Sequence, residues 1–385
     1  MADRRARAAV QPGRRAVRLR RALAALALVL AILLVVFRAT VGAQARAFVV
    51  LSTTLETPVL TWTAKHVTRT PHARERVVAG MPATIVRPGG SPPWPAVVFV
   101  NGATRQGRMH PDVQRLAQGL ARAGFLVYVP DLPGLRFGQI TERTLAATVA
   151  VARAAAASRE ARQHRIGFVS VSVGTSLALD AAANDSLRTR VSAVAGIAPY
   201  AHLRDVIRLA TTGITRTGEH YDVDPYLGLA VGRSLVAGLR PSAARDRLLR
   251  RLLAVPDEDA DPLAALPLPD TGDLRPVLAL LLNRNPSRFA RLYAALPAHL
   301  RAELSRLSPL ARAGRIDAEI ELASARTDRY FPVSESQALV RAAPHARITV
   351  TGTLDHAIPK PSLRDLGELV AFDAWVVRSL RELRS

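Results

Sequence analysis

Three residues far apart in the chain, Ser172, Asp328 and His356, are of the types that build a nucleophilic relay. A serine hydroxyl attacks a carbonyl only when a base takes its proton, and an imidazole serves best when a carboxylate orients it. Each of the three follows a run that reads as a buried strand. Ser172 follows residues 166–171, Asp328 (in ARTDRYFP) follows a strand ending near Ser324, and His356 (in TGTLDHAIP) follows the last strand. Open α/β sheets gather their sites beyond the carboxyl ends of parallel strands.

The stretch RIGFVSVSVGTSLALDAA, residues 165–182, is the most informative in the chain. A β-branched run meets Ser172, then Gly174, then an alanine-rich segment of helical character. This reads as strand, sharp turn and helix, with small residues at 170 and 174 letting the two backbones approach. A nucleophile elbow has that need, because its serine is held at the tip of a strained turn. Ser176 is a rival nucleophile but would lie one turn into the helix. Asp355 adjoins the histidine, where alignment of a carboxylate on the imidazole is rare, so Asp328 is preferred as the acid. Asp131 reads as a stabiliser of its own Pro-Gly turn, and His110 and His202 as surface or hydrogen-bonding residues. His220, Asp222 and Asp224 lack metal-ligand spacing and read as solvated turn residues, so neither metal nor cofactor is expected.

The elements that must position these residues alternate along the chain. Strand 96–100 delivers Asn101-Gly102-Ala103 into a polar loop, and a helix from Pro111 to Ala123 follows, with Gly124 past its end. Strand 125–129, helix 141–158, the strand before Ser172, its helix, and strand 191–197 continue the series. Such alternation predicts a mostly parallel central sheet flanked by helices. Residues 203–315 break the rhythm with Leu, Ala and Arg helical stretches, several prolines and the acidic run DEDAD at 257–261. They read as a helical cap insertion between a first core part, 76–202, and a second, 316–385. The second part holds strand 319–324, helix 333–342, strand 346–350 and a final helix from 363 to 383.

From residue 76 to 385 the chain resembles the α/β-hydrolase superfamily, on NGATRQG after an early strand, VPDLPG after the next, SVSVG at the elbow, RTDRYFP and LDHAIP. The order Ser, Asp, His is the one expected there. The resemblance implies a Ser172, Asp328, His356 triad and an oxyanion hole from the backbone N–H of Val173 and of Ala103 or its neighbour Gly102. It also implies cleavage of an ester or related acyl bond in a small-molecule substrate. Asn101 stands where many members have histidine, and Ser170 where they have glycine. A non-catalytic scaffold on the same fold is the rival reading, discriminated by whether the three side chains converge; a lyase or cofactor-free peroxidase is another.

Composition bounds the remainder. The 385 residues are 49% hydrophobic and 22% charged, which suits a large folded chain. The net charge is +22, yet only Lys65 and Lys360 of the 53 basic residues are lysine, and no aromatic-interleaved basic patch or zinc spacing points to nucleic acid. No cysteine is present, which excludes disulfides and thiolate catalysis. Eight arginines in residues 1–21 precede a 16-residue apolar run, 22–37. The expectation is an N-terminal transmembrane anchor over 22–45, followed by a connector, 46–75. Positive-inside bias would place the N-terminus in the cytoplasm and the catalytic domain outside the cytoplasmic membrane. Cleavage at Ala43-Gln44-Ala45 is the alternative and would give a secreted protein. Membrane partnership and a basic surface would suit lipid-derived substrates.

Overall fold

In strand β3 (Trp94–Val100) Val97 and Phe99 face one apolar cluster, while Val98 and Val100 face another. A strand buried on both faces must have helices on both sides of its sheet. The computed structural model, which describes residues 38–55, 58–257, 272–360 and 365–385, has that layering. The chain divides into two units, Met1–Arg46 and Ala47–Ser385. Helix α1 (Arg38–Thr54) runs across that boundary and is followed by α2 (Pro58–Val67).

The larger unit holds an eight-stranded sheet of order β1-β2-β4-β3-β5-β6-β7-β8. Strands β1 (His72–Val78) and β2 (Met81–Arg87) form an antiparallel hairpin. Its turn, Ala79-Gly80, has positive φ at both residues, the geometry that matches strand twist. β2 pairs antiparallel with β4 (Leu126–Pro130), and every later pair is parallel. The parallel part continues through β5 (Ala161–Val171), β6 (Val191–Ile197), β7 (Glu319–Ala325) and β8 (Ala346–Thr351).

Helices fill both faces. α3 (Pro111–Arg122) packs on the face carrying Val97 and Phe99, and α4 (Glu142–Ala157) and α5 (Val173–Ala182) pack on the other. Between β6 and β7 the described residues hold six helices: α6 (Leu203–Thr212), α7 (Pro225–Ala237), α8 (Ala243–Ala254), α9 (Leu274–Leu281), α10 (Pro286–Ala294) and α11 (Ala298–Arg306). Helix α12 (Val333–Ala342) precedes β8, and a two-stranded hairpin follows it, β9 (Leu354–Asp355) with β10 (Ile358–Pro359). Helix α13 (Leu366–Glu382) ends the chain on the same face as α3. A mostly parallel sheet with helices on both faces and a helical insertion between β6 and β7 is the architecture that the alternation of strands and helices predicts.

The N-terminal expectation requires correction. Residues 22–37 of the anchor expected over 22–45 lie outside the described residues. Among the described residues no helix is long and apolar enough to cross a membrane. The expected end of the anchor is instead the start of α1, which carries Arg46 and continues past Ala45 to Thr54. From Ala47 onward its apolar face is spent on protein: Ala47 and Val50 are buried, and Val50 packs at Gly119, where no side chain intervenes. The transmembrane helix, the membrane partner and the location drawn from them are therefore withdrawn, and the Ala43-Gln44-Ala45 site lies within α1.

Candidate active site

Strand β5 and helix α5 meet at Ser172, whose backbone has φ 56 and ψ −133. A non-glycine residue in that region costs on the order of 1–3 kcal/mol and persists only where its surroundings impose it. The surroundings here are close backbones. A Cβ on Gly174 would collide with the carbonyl oxygens of Val100 and Asn101, so only glycine lets α5 start against the end of β3. Ser172 N–H is held by the Ile197 carbonyl at 2.7 Å. Ser170, in the place usually given to glycine, is buried and donates to the Ala195 carbonyl at 3.3 Å. Its neighbour across the ladder is Gly196, where a Cβ would collide with the Thr175 methyl and stand 3.2 Å from the Ser170 hydroxyl.

His356 occupies the tip of the β9–β10 hairpin, with φ 52. Its Nε2 lies 2.8 Å from Ser172 Oγ, and its Nδ1 lies 2.7 Å from Asp328 Oδ2. Asp328 is 4% exposed, and its other oxygen, Oδ1, accepts the N–H groups of Tyr330 (2.7 Å) and Phe331 (3.0 Å). An ionised carboxylate is acceptor-only, so Nδ1 carries the imidazole proton and Nε2 presents its lone pair to the serine hydroxyl. The three residues selected on chemical type thus form a continuous chain of two hydrogen bonds. Tyr330 and Phe331 also fix the ring itself, with centroids 4.5 and 5.8 Å from that of His356.

The loop after β3 passes over the elbow. A Cβ on Gly102 would stand 3.3 Å from the Ser172 Cβ and 3.5 Å from the Val171 carbonyl oxygen. Ala103 follows it, and Val173 is the first residue of α5, whose N–H therefore has no acceptor within the helix. Asn101 is buried beneath this loop at 4% exposure.

The rival residues have other work. Ser176 is fully buried, donates to the Tyr200 carbonyl (2.8 Å) and accepts its N–H (3.0 Å). Asp355 pairs with Lys360. His110 and His202 accept backbone N–H groups at the starts of α3 and α6. Asp131 binds beyond its own turn, accepting from Arg108 (2.9 Å) and Arg136 (2.6 Å), and so ties the loop after β3 to the one after β4. Among the described residues no cluster of His, Asp and Glu could hold a metal ion.

Sequence reasoning missed how the cap fastens the loop that carries the acid. Tyr221 O–H donates to the Asp328 carbonyl oxygen, and Asp224 N–H donates to that of Arg329 (2.8 Å). The Arg329 guanidinium pairs with Asp222 at 3.2 Å and lies 3.7 Å from Asp224. Burial raises the pKa of Tyr221 and of Tyr330, keeping both hydroxyls protonated as donors. On the opposite side Arg105, from the loop after β3, reaches Asp257 (2.9 Å) and the Val255 carbonyl (2.6 Å) beyond α8. Fully buried Arg233 on α7 meets Asp257 (2.8 Å) as well. Burial works against the Asp257 carboxylate, but the hydrogen bonds from Arg105 and Arg233 outweigh it and hold its pKa down. A signal in the sequence is the run YDVDPY at 221–226, where two tyrosines flank two aspartates amid the helical periodicity of the cap.

No protein-family model matches the chain, and no curated protein matches it. Among solved structures it is similar to dipeptidyl peptidase 4 of Porphyromonas gingivalis, at 14% identity over 84% of this chain and 37% of that one, TM-score 0.48. An acylaminoacyl peptidase of Pyrococcus horikoshii is similar at 13% identity over 77% of this chain and 39% of that one, TM-score 0.46. A dienelactone hydrolase of Anabaena variabilis is similar at 13% identity over 81% of this chain and 97% of that one, TM-score 0.43. The chain spans less than half the length of the two peptidases.

Proposed function

We propose that this protein is a serine hydrolase that cleaves a carboxylic ester or related acyl bond through an acyl-enzyme on Ser172. The observation that carries the reading is the continuous pair of hydrogen bonds, Asp328 to His356 at 2.7 Å and His356 to Ser172 at 2.8 Å. His356 takes the hydroxyl proton as Ser172 Oγ attacks the carbonyl, and Asp328 stabilises the imidazolium and its tautomer. The developing oxyanion is held by the backbone N–H groups of Val173 and of Ala103, or its neighbour Gly102. Each donor in such a hole lowers the barrier by about 3–4 kcal/mol. The imidazolium returns its proton to the departing alcohol, and water activated by His356 then releases the acid. The leucine-rich cap, edged at the acid loop by Tyr226 and Tyr330 with ring centroids 6.4 Å apart, favours an apolar acyl or alcohol group.

A panel of p-nitrophenyl esters of increasing acyl length tests this. The wild type is expected to hydrolyse at least one of them, and Ser172→Ala to lose the turnover by about 10⁴-fold or more while unfolding at the same temperature. Equal rates for the two proteins would refute the assignment.

A further inference from the structure

Several arginines that are buried or half-buried are matched by acids: Arg108 with Asp131 and Glu75, Arg233 with Asp257, Arg378 with Glu321. One cleft breaks that pattern. It lies where the start of α6, the Arg216 loop and the end of α12 come together, has a volume of about 440 Å³, and is lined by His202, Arg204, Asp205, Arg216, Ala338 and Arg341, with Leu310. Three guanidinium groups face a single carboxylate there. Asp205 is 3.8 Å from Arg216, beyond hydrogen-bond distance. Arg204 lies over the Tyr293 ring, 5.4 Å from its centroid, and among the described residues neither it nor Arg341 pairs with an acid. Glu335, buried nearby, is spent on the N–H groups of Ala201 (2.8 Å) and His202 (3.3 Å).

We propose that this cleft binds a small polyanion, a molecule carrying two or more carboxylate or phosphate groups. Guanidinium groups present planar, bidentate donors that match both anion types, and several on separate elements can hold separate anionic groups. The volume is within the roughly 300–1,000 Å³ of small-molecule sites. Leu310 and Ala338 give the cleft an apolar part for a carbon skeleton. His202 adds a neutral donor: its Nδ1 accepts the Arg204 N–H at 3.1 Å, which leaves the proton on Nε2, and burial holds its pKa down. None of these residues belongs to the Ser172 relay, so the site stands independently of the activity proposed above.

Calorimetric titration of the full chain with citrate, and separately with pyrophosphate, tests the site. The wild type is expected to bind at least one of them saturably. A variant with Arg204, Arg216 and Arg341 each changed to alanine is expected to bind at least tenfold more weakly. A control with Arg74, Arg76 and Arg190 each changed to alanine, exposed positions elsewhere, is expected to bind as the wild type does. All three lining arginines are surface-exposed, and coincident thermal unfolding of variant and wild type checks that the fold is kept. Absence of saturable binding, or equal weakening in both variants, would overturn the proposal. So would binding to phosphatidylglycerol vesicles that needs the three lining arginines when neither small anion binds, since the cleft would then be part of a lipid-facing surface.

Discussion

Asp328 does two things with two oxygens. Oδ1 holds its own loop by accepting from Tyr330 and Phe331, and Oδ2 orients His356. Asp328→Asn separates the two roles: an amide oxygen still accepts the backbone N–H groups, while the amide nitrogen meets Nδ1 as a donor and forces the proton onto Nε2. The histidine then faces Ser172 in the wrong tautomer. The expected outcome is a fall in kcat of about 10⁴-fold with little change in KM or unfolding temperature, measured on the best ester substrate. An equally active variant would show that the carboxylate does not set the tautomer. That these three residues come together was legible in sequence, because each follows a strand run of one parallel sheet. The Tyr221 hydroxyl on the Asp328 carbonyl was not legible, since a contact across 107 residues depends on where the cap lies, which local periodicity does not encode.

The elbow helix α5 is pinned from its far end as well as from Ser172. Asp180 on that helix has a fully buried carboxylate, which meets Arg312 at 2.5 Å while its Oδ2 has no hydrogen-bond partner. Burial outweighs the guanidinium and pushes the Asp180 pKa up to about 7, from an ordinary 3.8. Between those values the folded protein keeps a proton that the unfolded chain has released. The contribution is therefore fully present below pH 4 and is lost as pH rises through 7, roughly 4 kcal/mol in all. Urea unfolding between pH 4 and 7 should show wild-type stability falling relative to Asp180→Asn; parallel pH dependences would contradict this. The elbow as an element was plain in sequence from its apolar run, serine and glycine. That Ser170 could replace the usual glycine became intelligible only with Gly196 beside it, a cross-strand fact.

At the scale of the whole molecule, the sheet and its flanking helices were largely legible because buried parallel strands and amphipathic helices have different periods. The N-terminal segment misled. An apolar run behind arginines reads as a membrane anchor, yet among the described residues no helix is long and apolar enough to cross a membrane, and hydropathy alone does not distinguish lipid from protein as the surface that covers side chains such as Ala47 and Val50. The cap was recognised by its broken rhythm, but its attachments were not. It grips the loop of the acid through Tyr221, Asp224 and Arg329, and the loop after β3 through Arg105 and Asp257. Both sides of the relay are thus held by one insertion, so the placement of Ser172, Asp328 and His356 depends on how the cap is packed. The consequence proposed for this assembly is that Ser172 is a nucleophile. Labelling the full chain with a fluorophosphonate and locating the adduct by peptide mass spectrometry tests it directly. The expected result is one phosphonylated residue, Ser172, and no labelling after His356→Ala; an unlabelled wild type, or an adduct on another serine, would contradict the role proposed for Ser172.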